Sequence, residues 1–115
     1  MIKVYGIPNC DTVKKARAWL NERGLEHEFH DFKKQGVPEP RVDAWLANAG
    51  WEKLVNRKGT TWRKLDPDLQ ASITDEASAR GLMLQHASVI KRPVVEWSGT
   101  DLTVGFSPDD WAERG

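Results

Sequence analysis

Residues 1–20 read MIKVYGIPNCDTVKKARAWL. Ile2-Lys3-Val4-Tyr5 alternates apolar and polar side chains and is bounded by Gly6 and Pro8, the pattern of a short half-buried strand. From Asp11 to about Arg23 the apolar residues Val13, Ala16, Trp19 and Leu20 recur at helical spacing, and Gly24 is a natural stop. Cys10 stands at the junction. A cysteine at a helix N-terminus meets unpaired backbone N–H groups and the positive end of the helix dipole, and both favour the thiolate, which is the reactive form.

Working outward, residues 26–32 are strand-like though polar, with Phe29 and His27 as the inward candidates. Two strands joined through a helix imply a parallel βαβ unit with a right-handed crossover. Lys33-Lys34-Gln35-Gly36-Val37-Pro38 reads as a loop. Glu39-Pro40 opens a helix in which Val42, Trp45, Leu46 and Ala49 share a face, ending at Gly50, and residues 51–55 add one turn. A polar, basic loop at 56–60 precedes short helical pieces near 61–65 and 68–73. Thr74-Asp75-Glu76 starts another helix, expected to run to about Gln85 with Ala77 and Leu84 inward, and residues 86–90 form a last short helix or turn. Pro93-Val94-Val95-Glu96-Trp97 and Asp101-Leu102-Thr103-Val104-Gly105 form a hairpin about Ser98-Gly99-Thr100. Ser107-Pro108-Asp109-Asp110 then starts a short terminal helix carrying Trp111. The expected order is β-α-β, a helical block, β-β-α.

With 115 residues, the chain suits a single domain, 1–115, able to bury a core without disulfides or metals. Lys+Arg and Asp+Glu both number 17, so no net charge draws it to nucleic acid or an anionic membrane. No apolar run approaches the roughly 20 residues of a membrane-spanning helix, and no signal-peptide pattern opens the chain, so the cytoplasm is the expected location. The lone cysteine excludes an internal disulfide, and with three scattered histidines it gives no metal-ligand cluster. A redox cycle at Cys10 must borrow a second thiol. Of the six tryptophans, most fit inward faces of separate elements, with Trp62 the candidate for lining a groove.

Three segments carry a resemblance: Val4-Tyr5-x-x-Pro8-x-Cys10, Arg57-Lys58, and Ile90-Lys91-Arg92-Pro93-Val94-Val95. In this order they resemble the arsenate reductase ArsC family, which also contains the Spx regulators and YffB-type proteins. The stretch from Tyr5 to Ala16 looks closest to the YffB-type branch. The resemblance implies an α/β, thioredoxin-like (glutaredoxin-type) fold with a helical insertion between the second and third strands. It further implies that Arg57 and Arg92 converge on Cys10 and that Pro93 is the cis-proline whose neighbouring backbone pairs with a peptide substrate. Three departures stand out. Characterised arsenate reductases carry a histidine at the position of Gly6 and a third arginine in the hairpin exit, where this chain reads Gly105-Phe106-Ser107-Pro108. The redox-switched Spx proteins carry a second cysteine where this chain has Val13.

The expected site therefore has Cys10 as nucleophile, with Asn9, Lys14, Arg57, Arg92 and Pro93 holding substrate or glutathione, and no metal. Lys14 and Lys15, one turn along the helix, add positive potential near the thiol. A planar guanidinium suits bidentate grip of a carboxylate or oxyanion, which is the chemical reason to single out Arg57 and Arg92. The expected activity is that of a glutathione-dependent thiol reductase, monomeric, with glutathione as co-substrate and no bound cofactor. Arsenate reduction coupled to glutathione or glutaredoxin is the alternative, and an Spx-like protein-binding module a further one.

Overall fold

The computed structural model describes residues 2–98 and 101–114. The turn expected at Ser98-Gly99-Thr100 thus lies partly outside the described residues. The chain divides into two compact units, one made of residues 2–36 and 92–114 and the other of Val37–Lys91.

The first unit is a four-stranded sheet in the order β2-β1-β3-β4, with β1 at Ile2–Gly6, β2 at His27–Asp31, β3 at Val94–Ser98 and β4 at Asp101–Val104. β1 runs parallel to β2 and antiparallel to β3, which pairs antiparallel with β4. The helix α1, Asp11–Glu22, connects β1 to β2 and buries Val13, Ala16 and Leu20 as a single stripe. It ends as its sequence suggests. Gly24 takes a φ of +68°, and Leu25 N–H returns to Leu20 O at 3.0 Å, satisfying a carbonyl left over by the last turn.

Because side chains alternate along a strand, Val4 on β1 and Val95 and Trp97 on β3 fall on one sheet face, and they form the core with Ala16, Leu20 and Trp111. Trp111 lies on the terminal helix, residues Pro108–Ala112, and meets Trp97, Phe106 and Trp19 edge-on at centroid distances of 5.0, 4.8 and 5.6 Å. Burial of side chains of this size stabilises a fold by roughly 1.5–3 kcal/mol each. Tyr5, His30 and Glu96 alternate to the other face. There the Tyr5 hydroxyl donates to Glu96, while the His30 ring packs 5.1 Å from that of Tyr5.

Residues 33–38 are not all loop. The helix α2 occupies Phe32–Gln35, because the Asp31 carboxylate accepts from Lys33 N–H at 2.8 Å and supplies the missing N-terminal partner. The Gln35 side chain in turn accepts from Asp31 N–H, blunting that end of the edge strand β2.

The second unit is helical: α3 at Glu39–Ala49, α4 at Trp51–Leu54, α5 at Thr60–Arg63, α6 at Pro67–Ser72, α7 at Glu76–Gln85 and a 3₁₀ turn at Ala87–Val89. α3 buries Val42, Trp45 and Leu46, as its spacing predicts, and Gly50 stops it at a φ of +87°. In α7 the expected inward pair is corrected. Ala77 is exposed and Leu84 only half-buried, whereas Ala79, Leu82 and Met83 form the buried stripe. Asp75 caps α7 through a reciprocal pairing with Ser78, and Arg80 reaches across to Asp43 of α3 at 2.6 Å.

Candidate active site around Cys10

Cys10 is half-buried and is the N-cap residue of α1, with extended φ and ψ of −141° and 123°. Its carbonyl accepts the first intrahelical bond, from Lys14 N–H at 3.0 Å. The N–H groups of Asp11, Thr12 and Val13 precede that bond, and helix geometry gives them no acceptor one turn back. The Cys10 side chain makes no capping hydrogen bond, so it does not spend itself on the helix end. What the first turn offers at this position is a set of donors and partial positive charge, suited to a thiolate or to an anion brought against it. Asn9, Lys14 and Lys15 flank the thiol in sequence and are exposed.

Sheet register brings Arg92 and Pro93 into the same unit. Val4 pairs with Val95 and Tyr5 with Val94, so one further antiparallel step sets Gly6 against Pro93. The Arg92–Pro93 peptide bond is cis, as the resemblance implies. Pro93 is buried and its carbonyl accepts from Gly105 N–H at 2.9 Å, tying this segment to the exit of β4. Arg92 is half-buried, and its Cβ lies 3.8 Å from where a Cβ on Gly6 would sit. Cys10, Arg92 and Pro93 are thus all placed around the end of β1, from two segments distant in sequence.

Arg57 belongs to the second unit. It is exposed, with its guanidinium carbon 5.5 Å from the centroid of the Trp51 ring, a cation–π arrangement. Lys53, Arg57, Lys58, Arg63 and Lys64 fall in one stretch with no Asp or Glu among them, so this part of the unit is locally basic in a chain that is neutral overall. Trp62 within it is half-buried, and its carbonyl accepts from the Gln70 side chain at 2.6 Å.

An open hollow of about 490 Å³ lies at the far end of α1, lined by Asn21, Gly24, Leu25, Glu26, His27 and Glu28. Its position separates it from the thiol. Among the described residues, no group of three or more His, Cys, Asp or Glu side chains is arranged to hold a metal ion. No helix among them is long and apolar enough to cross a membrane.

What sequence reasoning missed at Gly6, read there as a strand end and as a departure from the arsenate reductases, is its close approach to Val13. The signal was present, since a glycine closing a strand just ahead of a reactive residue often marks close approach of another backbone or helix.

A βαβ-plus-hairpin sheet with a cysteine capping the first helix and a cis-proline opening the third strand defines the thioredoxin-like class, here with a helical block between β2 and β3. Within that class the chain belongs to the ArsC family, whose model matches residues 5–114. Among solved structures, the YffB protein is 46% identical and superposes with a TM-score of 0.93, covering 99% of this chain and 98% of its own. An arsenate reductase (ArsC) related protein from Brucella melitensis is 47% identical with a TM-score of 0.77, over 97% of this chain and 92% of that one. An uncharacterised protein of Haemophilus influenzae is 39% identical over 111 residues, which are 96% of each chain.

Proposed function

We propose that this ArsC-family protein is a thiol reductase in which Cys10 is the sole nucleophile and glutathione the resolving thiol. The observation that carries this reading is the placement of Cys10 at the N-cap of α1, half-buried, with Arg92 set beside the same strand end. In the first step the Cys10 thiolate attacks one sulfur of a disulfide substrate. A bond forms between the two sulfurs as the substrate's S–S bond breaks, and the departing sulfur leaves as a thiolate that takes its proton from water. In the second step a glutathione thiolate attacks the substrate sulfur of the mixed disulfide and releases Cys10 as thiolate. The electrons that reduced the first sulfur are then supplied by glutathione, which ends in a disulfide with the remaining half of the substrate. Arg92 holds a glutathione carboxylate, and the extended segment at Pro93 pairs with the tripeptide backbone. Asn9 and Lys14 line the approach. For Arg57 the proposal is an anion-holding role that stands on its own setting, an exposed guanidinium over Trp51 in a cation-rich stretch.

The test is to incubate the protein with oxidised glutathione and weigh it. One glutathione adduct, located at Cys10 and missing from Cys10→Ser, supports the proposal, and absence of the adduct overturns it.

The second reading, arsenate reduction, is favoured by one observation: the Brucella melitensis relative, 47% identical, is described as arsenate reductase related. Against it, the space beside Gly6 is filled by Val13, and Ser107 stands where a further arginine was sought. Glutathione-dependent arsenate turnover that disappears in Cys10→Ser would establish it. No turnover, with a glutaredoxin also supplied, would remove it.

A further inference from the structure

Gly6 is a glycine for reasons of space. The described glycines with positive φ are Gly24, Gly36, Gly50 and Gly105, so the backbone at Gly6 is one that any residue could adopt. A Cβ placed there would nevertheless lie 2.9 Å from Val13 Cγ2, well inside the 3.5–4.0 Å or so of a normal carbon contact. Val13 cannot readily turn away. It is fully buried, and a β-branched side chain in a helix has essentially one rotamer open to it. An added atom at position 6 therefore forces a shift between the end of β1 and the turn of α1 that carries Val13.

The part of α1 that would move is the part that matters to the thiol. Val13 is the third residue of the helix, and its own N–H is among the acceptor-less donors that follow the N-cap Cys10. Cys10 is locked into the same turn by the 3.0 Å bond from Lys14 N–H to its carbonyl. On its other flank the same point on Gly6 is approached by Arg92 Cβ at 3.8 Å.

We propose that Gly6 and Val13 act as a pair of positioning residues. Their direct contact sets how closely the first turn of α1 is drawn onto the end of β1, and so fixes where its N–H donors stand relative to the Cys10 sulfur and to Arg92. This inference rests on the thiol chemistry proposed above.

The experiment compares wild type, Gly6→Ala, Val13→Ala and the double substitution in the intact chain. For each, the rate of Cys10 alkylation by iodoacetamide at pH 7 is divided by its rate at about pH 10, where an ordinary thiol is largely ionised. The quotient cancels simple access and reports the fraction of reactive thiolate. Gly6→Ala is expected to lower the quotient about threefold, the size of effect expected from loosening a helix-end interaction. The double substitution, in which the extra methyl meets no Val13, is expected to match Val13→Ala. A Gly6→Ala protein whose melting temperature falls while its quotient equals that of wild type overturns the inference. Should Gly6→Ala fail to fold, the double substitution decides: folding with the quotient of Val13→Ala supports the pairing, and failure to fold or a lowered quotient overturns it. The wild-type quotient, compared with that of the urea-unfolded chain, separately tests the thiol reading itself.

Discussion

The hydroxyl of Tyr5 donates a 3.0 Å hydrogen bond to Glu96 Oε1, joining β1 to β3 across the sheet face opposite Val4 and Val95. Tyr5 is almost fully buried, so its hydroxyl depends on protein acceptors rather than on bulk water. Tyr5→Phe keeps the ring and its packing against His30 while deleting this bond to a charged acceptor. The expected cost is about 1–2 kcal/mol of unfolding free energy, read as a lower urea midpoint with an unchanged slope. Tyr5 directly precedes Gly6 but points to the other face. Cys10 alkylation should therefore stay close to the wild-type rate, and a large fall would show that this face communicates with the thiol.

Trp111 makes a different kind of prediction. It is fully buried, ringed edge-on by Trp19, Trp97 and Phe106, and its indole Nε1 has no hydrogen-bond partner among the described residues. Trp111→Ala should cost roughly 3–5 kcal/mol, the usual range for emptying an aromatic site. Trp111→Phe should cost less than half of that, since the atoms lost include a buried donor that contributes no bond. Thermal unfolding of the two variants checks the ordering. Equal losses would mean that the indole N–H is held after all.

Asp75 gives the chain an identifiable acid sensitivity. Its carboxyl is held below the ordinary aspartate value, first by the Ser78 backbone N–H and then by the Ser78 hydroxyl. A carboxyl lowered on folding contributes stability that is present above its unfolded value of about 3.9 and is lost as pH falls through the lowered folded value. Asparagine can still cap the helix but does not titrate. Asp75→Asn should therefore flatten the decline in stability below about pH 4, seen in urea midpoints at successive pH values. An acid limb as steep as that of wild type would place the sensitivity elsewhere.

Those elements differ in how plainly the sequence announces them. α1 and α3 are legible because Val13, Ala16 and Leu20, and Val42, Trp45 and Leu46, each make one apolar stripe bounded by a glycine. α7 is ambiguous because Ala77, Ala79, Leu82, Met83 and Leu84 spread apolar atoms over more than one face, and only packing selects Ala79, Leu82 and Met83. α2 has no apolar period. It forms because a single carboxylate, Asp31, satisfies its first turn, a local bond that hydrophobic spacing cannot reveal. The site divides in the same way. Cys10 is marked by strand, turn and helix start within a few residues. The placement of Arg92 is implied in the sequence by the family resemblance alone and gains its physical reason from the β1–β3 register, while the Gly6–Val13 contact comes only from coordinates, since it is a distance between a missing atom and a methyl group.

Arg92 tests the proposed handling of glutathione most directly. Arg92 lies two residues before Val94, the first residue of β3 paired with β1, so a substitution of its outer side chain should leave the backbone of this segment in place. Lysine keeps the positive charge there but cannot present two parallel N–H donors to a carboxylate. If the guanidinium holds a glutathione carboxylate, Arg92→Lys should raise the KM for glutathione about tenfold, equivalent to about 1.4 kcal/mol, with a much smaller change in kcat. Arg92→Ala should raise it further. Iodoacetamide carries no charge and needs no carboxylate grip, so its reaction with Cys10 should separate binding from nucleophilicity: in Arg92→Lys it should proceed within about twofold of wild type, because the positive charge at position 92 is retained. A wild-type KM in Arg92→Lys would show that charge alone suffices at this position. A KM unchanged even in Arg92→Ala would remove Arg92 from the glutathione site.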